Sequence, residues 1–306
     1  MSIEVWAMIC VGVAALFAGP LLARRRFQAA FGPAKILVLG PVFEAAALAV
    51  FSAEHFTAAR DLMPIVPHWL PWPLFWTYFV GICLLASAVS FIAWRHVRWS
   101  ALFLAVLFLI IVATVDLPNL PASIHNRFFW ILTVRETSFA GGAMVLAGSV
   151  WTPGTRTASA LMTIGRTIVA VVMIFYAIQH FLHPHNVPGV PLEKLTPAWI
   201  PAPTLISWFI GIALLIGGAA MLIPRTTRLA SVTAGSILVL LTAFFYVPIA
   251  ATEIRTPLAL EGLNYIFDTL LFAATVLLAG LPPIENLYKG SVFPDHYAGR
   301  SAITSR

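Results

Sequence analysis

Four charged side chains lie inside apolar stretches of the chain, namely Glu44, Arg135, Glu136 and Asp268. A charge in the interior of a bilayer is costly, so such residues usually face a partner or a polar cavity and mark functional sites. One interpretation is therefore a shared polar site below one membrane surface. The other is a packing device in which Arg135 neutralises Glu44 or Glu136. Asp268 would then bond only to a neighbouring helix.

Two histidines end apolar stretches at matching places, His55 in the sequence EHF and His180 in QHF. An imidazole at a membrane surface can take a proton from a quinol or orient a lipid head group. It can equally be an interfacial side chain that water satisfies. The run HFLHPH at positions 180–185 places three histidines together, but no fourth ligand is evident, and we predict no metal site.

Two loops rich in proline and tryptophan resemble each other, PHWLPWPLFWTYFVG at 67–81 and PAWIPAPTLISWFIG at 197–211. Identical residues recur at a spacing of 130 positions, and they include Trp69 and Trp199. We expect these two indoles to form lids over a cavity open toward the outer leaflet, lined in one copy by His55, Trp69 and Glu136 or in the other by His180, Trp199 and Asp268. The alternative is that both indoles anchor at the interface above a packed interior.

The composition places these residues in a membrane. Of the 306 residues, 60% are hydrophobic and only 10% are charged, and the mean hydropathy is +0.92. Too little polar surface remains to cover a soluble domain, so the expected partner is the lipid bilayer. The net charge of +6 does not indicate nucleic-acid binding, because the basic residues fall between long apolar runs. The two cysteines lie in apolar segments without a Cys-x-x-Cys motif, which argues against dithiol exchange.

Apolar segments of about 20 residues are typical of membrane-spanning helices. Nine such segments predict an all-α polytopic membrane bundle. They lie near Ile3 to Ala23, Ile36 to Ser52, Leu74 to Trp94, Ala101 to Val115, Phe128 to Val150, Thr167 to His180, Thr204 to Ile223, Leu229 to Pro248 and Asn264 to Leu281.

The basic residues predict the orientation. With the N-terminus outside, 13 of the 18 Lys and Arg residues face the cytoplasm, as the positive-inside rule requires. We therefore expect a multi-pass protein of a bacterial or archaeal plasma (inner) membrane with a cytoplasmic C-terminus. The first segment carries Glu4 at its start and Arg24 to Arg26 after its apolar run, the reverse of a signal peptide, so we expect it to be retained.

The spacing of 130 residues extends beyond the loops and indicates an internal repeat. It predicts an N-terminal helix at 1–26, a first four-helix unit at 27–151, a second four-helix unit at 152–282 and a cytoplasmic tail at 283–306. Four helices return each unit to the side where it began, so the two units should be parallel and related by an axis along the membrane normal. Glu136 and Asp268 fall at equivalent positions. The units also diverge: the first has Glu54, Glu136 and Asp116 where the second has Gln179, Asp268 and Tyr246. Such divergence can leave one unit with a functional site and the other as a structural scaffold.

The repeated pattern resembles the DoxX-like membrane proteins, here as a tandem copy over roughly 31–282. The resemblance rests on a helix ending in His-Phe, a Pro-Ala-Trp-Ile-Pro loop, a glycine-containing helix, a basic turn such as RTTR and a last helix ending in Leu-Ala-Gly. The family takes its name from a subunit of a thiosulfate:quinone oxidoreductase, and many relatives have no assigned activity. The resemblance therefore implies a helical membrane fold and a quinone as a possible cofactor.

Three functional hypotheses remain. One is a membrane subunit of a quinone-linked oxidoreductase, with a soluble redox partner docking at the outer loops or the cytoplasmic tail. A second is a binding or transport module for a small lipophilic molecule, with its polar groups at the interface of the repeats. A third is a structural membrane partner. The sequence assigns no catalytic residue, substrate or oligomeric state.

Overall fold

The computed structural model describes residues 2–121, 125–190 and 193–287. Within these ranges the regular structure is helical, and an isolated β-bridge joins Asn186 to Leu195. The α-helices are α1 (Ile3–Ala29), α2 (Ala34–Leu37), α3 (Gly40–Thr57), α4 (Ala59–Leu62), α5 (Pro73–Ala93), α6 (Val97–Ile111), α7 (Leu117–Asn119), α8 (Arg127–Ser149), α9 (Arg156–Leu182), α10 (Pro203–Met221), α11 (Thr227–Leu241), α12 (Val247–Glu253), α13 (Ala259–Ala279) and α14 (Ile284–Leu287).

Eight helical segments of the described chain are long and apolar enough to cross a membrane. They are Ile3–Ala29, Ala34–Thr57, Pro73–Ala93, Val97–Asn119, Arg156–Leu182, Pro203–Met221, Thr227–Glu253 and Ala259–Ala279. The ninth predicted segment forms α8, which has 23 residues but carries Arg127, Arg135 and Glu136 and is not among the eight. The prediction of an all-α polytopic bundle is confirmed.

Several helix boundaries differ from the sequence prediction. Helix α1 continues to Ala29, through the basic residues that were expected to follow it, and α9 begins at Arg156 rather than at Thr167. Both extensions add polar turns, which hydropathy alone does not assign to a helix. Of the predicted tail at 283–306, only 283–287 lies within the described residues.

The long helices form a closed ring, and α13 makes contacts across it with α8 and, to a smaller extent, with α9. Each helix packs against the next in the order α3, α5, α6, α8, α9, α10, α11 and α13, and α13 returns to α3. Helices α8 and α13 also pack against each other, so the two helices that carry the predicted polar residues meet inside the ring. Helix α1 packs on the outside, mainly against α3.

Close approach of helices positions α8. A Cβ atom added at Gly165 of α9 would lie 2.3 Å from the carbonyl oxygen of Gly141 in α8, so no side chain fits there. Small residues at such crossings let two helix backbones touch and gain dispersion energy where the hydrophobic effect is absent. This contact fixes α8, and with it Arg135, against the second half of the chain.

Two π-helical turns interrupt the ring at matching places. One spans Val112–Asp116 after α6, and the other spans Thr242–Tyr246 after α11, 130 positions later. Each ends at a polar residue that is buried, Asp116 in the first case and Tyr246 in the second. A π-turn rotates the following side chains relative to an α-helix and is frequent at functional sites.

We call the end of the bundle that carries Trp69 and Trp199 the outer end, following the predicted orientation. Arg135 lies eight residues along α8 from its outer end, or about 12 Å at a rise of 1.5 Å per residue. Asp268 lies nine residues along α13 from its outer end. Both side chains therefore occupy similar depths in the outer half of the bundle.

Candidate functional site

Arg135 joins the two equivalent carboxylates. Its Nη1 donates to Oδ2 of Asp268 at 2.7 Å, and its Nη2 donates to Oε1 of Glu136 at 2.8 Å. The three side chains are 9–16% exposed. The sequence predicted Glu44 or Glu136 as the partner of Arg135, and the structure confirms Glu136. It adds Asp268, so one guanidinium serves an acidic residue from each predicted unit.

Further polar side chains surround this triad. Oε1 of Glu54 in α3 accepts a hydrogen bond of 2.8 Å from Nδ2 of Asn264 in α13. The π-turn that ends at Asp116 packs against α8, the helix of Arg135 and Glu136. We call these six residues the polar cluster, which comprises Glu54, Asp116, Arg135, Glu136, Asn264 and Asp268. With four carboxyl groups and one guanidinium, it can hold a net negative charge.

The polar cluster has unused hydrogen-bonding capacity. Three of its buried atoms have no partner among the described residues, namely Oδ2 of Asp116, Nε of Arg135 and Oδ1 of Asn264. Buried polar groups are normally paired, and an unpaired one costs on the order of 1–3 kcal/mol. Their concentration beside a partly exposed ion pair is what a site for a polar ligand or for ordered water requires.

The two predicted histidines make the same contact through Nδ1 and differ at Nε2. Nδ1 of His55 is 2.7 Å from the carbonyl oxygen of Phe51, and Nδ1 of His180 is 2.5 Å from that of Tyr176. In addition, Nε2 of His180 accepts a hydrogen bond of 2.8 Å from the amide of Gly189. Nε2 of His180 therefore carries no proton, and the ring is neutral with its proton on Nδ1. Both nitrogens of His180 are engaged, so neither can accept a proton or bind a metal without breaking this arrangement.

Among the described residues, Nε2 of His55 has no hydrogen-bonding partner, and the side chain is partly exposed. His55 directly follows Glu54, a member of the polar cluster, in α3. Next to α9, His183 lies outside the membrane-spanning helix. There, partial burial and the positive charge of Arg127 lower the pKa of His183.

The loop after α9 enters the bundle and supplies the amide that holds His180 neutral, with its proton on Nδ1. Residues 187–190 are all buried, and Val187 and Val190 are at most 1% exposed. The hydroxyl of Tyr246, at the end of the second π-turn, donates to the carbonyl oxygen of Pro188. We call residues 187–190 the inserted loop. Its peptide between Pro188 and Gly189 is thus held from one side by Tyr246 and from the other by His180.

After the inserted loop, a salt-bridge network holds the chain at Lys194 against α12 and α13. Nζ of Lys194 lies 2.9 Å from Oε1 of Glu253 in α12 and 3.1 Å from Oε1 of Glu261 in α13. The backbone amide of Lys194 donates to the hydroxyl of Tyr265 at 3.2 Å. These contacts secure the inserted loop to the helices that it covers.

The corresponding loop of the first unit stays at the surface. No residue from 60 to 72 is buried. The chain runs 14 positions from His55 to Trp69 but 19 positions from His180 to Trp199, so the first loop lacks the residues that the second inserts. Residues 60–72 therefore bury no side chain against Glu54 and Asp116 of the polar cluster or against the neighbouring His55.

Trp69 and Trp199 are highly exposed, at 67% and 54%. Such exposure agrees with a place at the membrane interface, where amphipathic rings prefer to lie. In the second unit the inserted loop occupies the position expected for a lid. The role of the two indoles as lids stays a prediction.

Glu44 does not join the polar cluster. It lies four residues from the inner end of α3, is completely buried, and neither of its carboxyl oxygens has a partner among the described residues. An unpaired charge there would be very costly, so the carboxyl group is best accommodated in its neutral form. The expected pairing of Glu44 with Arg135 is wrong, because Arg135 lies in the outer half of the bundle.

Sequence reasoning on the site missed Asn264 and the inserted loop. Asn264 lies one helical turn before Asp268 in α13, so both side chains lie on one face of the helix. This spacing is the sequence signal that could have identified Asn264. The inserted loop shows only as the greater length of the second outer loop. Glu54, Asp116 and Tyr246 were recognised as points of divergence between the units, but nothing in the sequence joined them to the charges of α8.

The described residues thus form a membrane-type helical bundle with one partly exposed polar cluster. Comparison with known proteins assigns no family to this chain. The chain matches no protein-family model, no curated protein and no solved structure at significant similarity.

Proposed function

We propose that the protein is an integral membrane binding protein for a small amphiphilic molecule. The binding site is the part of the polar cluster that belongs to the first unit, beside Glu54, His55, Asp116 and Glu136. The apolar part of the ligand lies among the helices, and its head group meets the polar side chains from the outer end. In this proposal the two units arose by duplication, and the chain is a tandem DoxX-like protein.

One observation carries this proposal, the difference between the two units at their outer ends. In the second unit, buried residues of the inserted loop contact His180 and Tyr246. In the first unit the loop remains at the surface, and Asp116 has a buried oxygen without a partner among the described residues. A histidine covered by its own loop in one half and a buried carboxylate oxygen with spare hydrogen-bonding capacity in the other are what a duplicated bundle with a single ligand site would contain.

The partial exposure of the ion pair supports entry from outside. Arg135 and Glu136 keep 16% and 14% of their side-chain surface accessible, whereas Glu44 at the other end of the bundle keeps none. Ligand sites between helices combine apolar walls with a few polar groups that fix orientation. Helices α3, α6 and α8 supply such walls around the first-unit part of the polar cluster.

A quinone-linked role is the second candidate. The observation that favours it is the juxtaposition of the Arg135 guanidinium, which can donate to a quinone oxygen, with carboxyl groups and His55, which can exchange protons. The DoxX-like resemblance supports the same role. Electron transfer would require a redox partner, and the expected soluble partner at the outer loops or the tail belongs to this proposal.

The test is equilibrium binding in lipid nanodiscs, followed by intrinsic tryptophan fluorescence. The panel contains a short-chain quinone in its oxidised and reduced forms, a primary alkylamine and a fatty acid. We expect saturable binding of at least one compound to the wild type. Glu136→Gln should weaken it by about tenfold or more, because hydrogen bonds to charged groups contribute about 1.5–3 kcal/mol.

The matched control is Glu261→Gln, which removes a carboxylate that is 45% exposed at the outer end of α13. It should leave the affinity unchanged. Absence of a saturable response for every compound in the wild type would overturn the proposal. Equal weakening by both variants would place the binding outside the polar cluster and would overturn it as well.

A further inference from the structure

The inserted loop provides an internal template for the ligand. We infer that the ligand of the first unit carries a head group that donates hydrogen bonds to both Asp116 and His55, and that a protonated amine fits this position best. The inference rests on the proposed function and specifies its ligand class. It follows from a comparison of the outer ends of the two units.

The surroundings of the two histidines are alike. Each donates from Nδ1 to the carbonyl oxygen four residues earlier in its own helix, His55 to Phe51 and His180 to Tyr176. A helix glycine packs against each imidazole stem. An added Cβ would lie 2.9 Å from Cβ of His55 at Gly81 and 3.1 Å from Cβ of His180 at Gly211. The two rings are therefore held in the same way by the same kind of neighbour.

The opposite wall of each site is also alike. Asp116 and Tyr246 are the last residues of π-turns with the same length and spacing. The turn of Asp116 packs against α8, which carries Glu136, and the turn of Tyr246 packs against α13, which carries Asp268 at the predicted equivalent position. The pair of His55 and Asp116 thus corresponds to the pair of His180 and Tyr246.

In the second unit a peptide group lies between the two walls. Its amide hydrogen, from Gly189, goes to Nε2 of His180, and its carbonyl oxygen, from Pro188, accepts from the Tyr246 hydroxyl. A group between His180 and Tyr246 therefore has to donate one hydrogen bond to His180 and accept one from Tyr246. The occupant is small, because only one peptide unit makes both contacts.

In the first unit the chemistry of one wall is reversed. A tyrosine hydroxyl donates in the second unit, whereas Asp116, in the ionised form that a bound cation would stabilise, only accepts. Because Nδ1 of His55 already donates to Phe51, neutral His55 offers Nε2 as a second acceptor. A molecule in this position must therefore donate toward both walls, and a ketone or a carboxylate cannot do so.

The charge of the polar cluster favours a cation. Four carboxyl groups, those of Glu54, Asp116, Glu136 and Asp268, surround the single guanidinium of Arg135, which is paired with two of them. Asn264 is the hydrogen-bond donor to Glu54 and adds no charge. An ammonium group supplies up to three hydrogen-bond donors and a positive charge. It would give Asp116 a cationic hydrogen-bonding partner. A hydroquinone, with neutral hydroxyl donors, shares the donor chemistry without the charge.

The experiment compares rigid ligands that differ only in the head group. The probes are 1-adamantylammonium, its N,N,N-trimethyl derivative, which keeps the charge but has no donor, and 1-adamantanecarboxylate, which only accepts. A short-chain quinone and its quinol form a second pair. Affinities are measured in nanodiscs with wild type, Asp116→Asn, His55→Phe and the control Asp61→Asn, whose side chain is exposed in the first outer loop.

We expect 1-adamantylammonium to bind at least about tenfold more tightly than the trimethyl derivative and the carboxylate, because each charge-assisted hydrogen bond adds specificity. Asp116→Asn and His55→Phe should each remove most of this preference, and Asp61→Asn should retain it. A preference of the quinol over both the quinone and the amine would support recognition of two hydrogen-bond donors and would overturn the assignment of the head group as an amine. Thermal unfolding of each variant shows whether it is folded, and the two variants at separate walls provide independent tests.

Two further results would overturn the inference while the proposed function stands. One is equal binding of the primary and trimethyl ammonium ions, which would show that charge alone is recognised. The other is saturable, Glu136-dependent binding of the quinone or the carboxylate without binding of the amine. Failure of every probe to bind saturably would overturn both the inference and the proposed function.

Discussion

Arg135 is the residue on which the polar cluster depends. It donates to Glu136, its neighbour in α8, and to Asp268 of α13, which lies 133 positions from Arg135 in sequence. Breaking a buried pair by removing one partner leaves an uncompensated charge, which is more costly than replacing all partners with neutral groups. The loss of stability on removing Arg135 should therefore depend on whether Glu136 and Asp268 are still charged.

We expect Arg135→Leu to destabilise the protein by about 3–5 kcal/mol, the usual cost of an orphaned buried charge. Adding Glu136→Gln and Asp268→Asn should recover much of this loss, because no unpaired carboxylate would remain. The measurement is reversible unfolding in mixed micelles. If the triple variant were as unstable as Arg135→Leu alone, packing of the arginine rather than its charge would be responsible.

The position of Arg135 shows what sequence can predict at this scale. Rare charges in apolar helices identified Arg135, Glu136 and Asp268 as residues of interest, since a bilayer makes such charges costly. Which of them meet depends on how α8 and α13 cross, and local sequence does not specify that crossing. For the same reason Glu44 was grouped with Arg135 although the two lie at different depths.

At the scale of elements, close contact between α8 and α9 holds α8 in place. The backbone carbonyl of Gly141 approaches Gly165 so closely that any side chain would force the two helices apart. In a membrane, such contacts contribute much of the association between helices. The position of Arg135 thus depends on a glycine in another predicted unit.

We predict that Gly165→Leu destabilises the bundle by on the order of 1–3 kcal/mol through overpacking and shifts α8 away from α9. Ala160→Leu is the matched control, because Ala160 lies on the same helix and is exposed. Thermal unfolding measures the first effect, and crosslinking of cysteine pairs placed on α8 and α9 measures the second. A Gly165→Leu protein as stable as the control would contradict the close contact.

The π-turns and the inserted loop illustrate what the sequence does not specify for elements. Hydropathy predicted helices as far as Val115 and over Thr242–Tyr246, and it carries no signal for the change in hydrogen-bond pattern at the two π-turns. The contact between Tyr246 and Pro188 spans 58 positions, so it depends on tertiary structure. In the sequence, the greater length of the second outer loop and the change from Asp116 to Tyr246 are the signs that the two outer ends differ.

At the scale of the whole molecule, eight long helices form a ring around the contact between α8 and α13. Composition was sufficient to predict a polytopic helical bundle, because few charged residues and long apolar segments permit little else in a bilayer. The distribution of basic residues further predicts that Trp69 and Trp199 face the outside.

Cysteine labelling tests this orientation. In a Cys10→Ala/Cys83→Ala background, single cysteines replace His68 in the first outer loop and Thr157 at the start of α9, and both positions are exposed. A membrane-impermeant maleimide applied to intact cells should label position 68, and position 157 should react only after permeabilisation. The reverse pattern would overturn the assignment of the outer end.

The low hydropathy of α8 has a consequence for biosynthesis. Arg135 is synthesised next to Glu136, but its second acidic partner, Asp268, leaves the ribosome 133 residues later. Insertion of a helix with an arginine near its middle costs about 2.5–3.5 kcal/mol for that residue alone. Helix α8 therefore reaches its full stability in the membrane only after α13 has been translated, so completion of the chain, and not of the first unit, is the step that secures it.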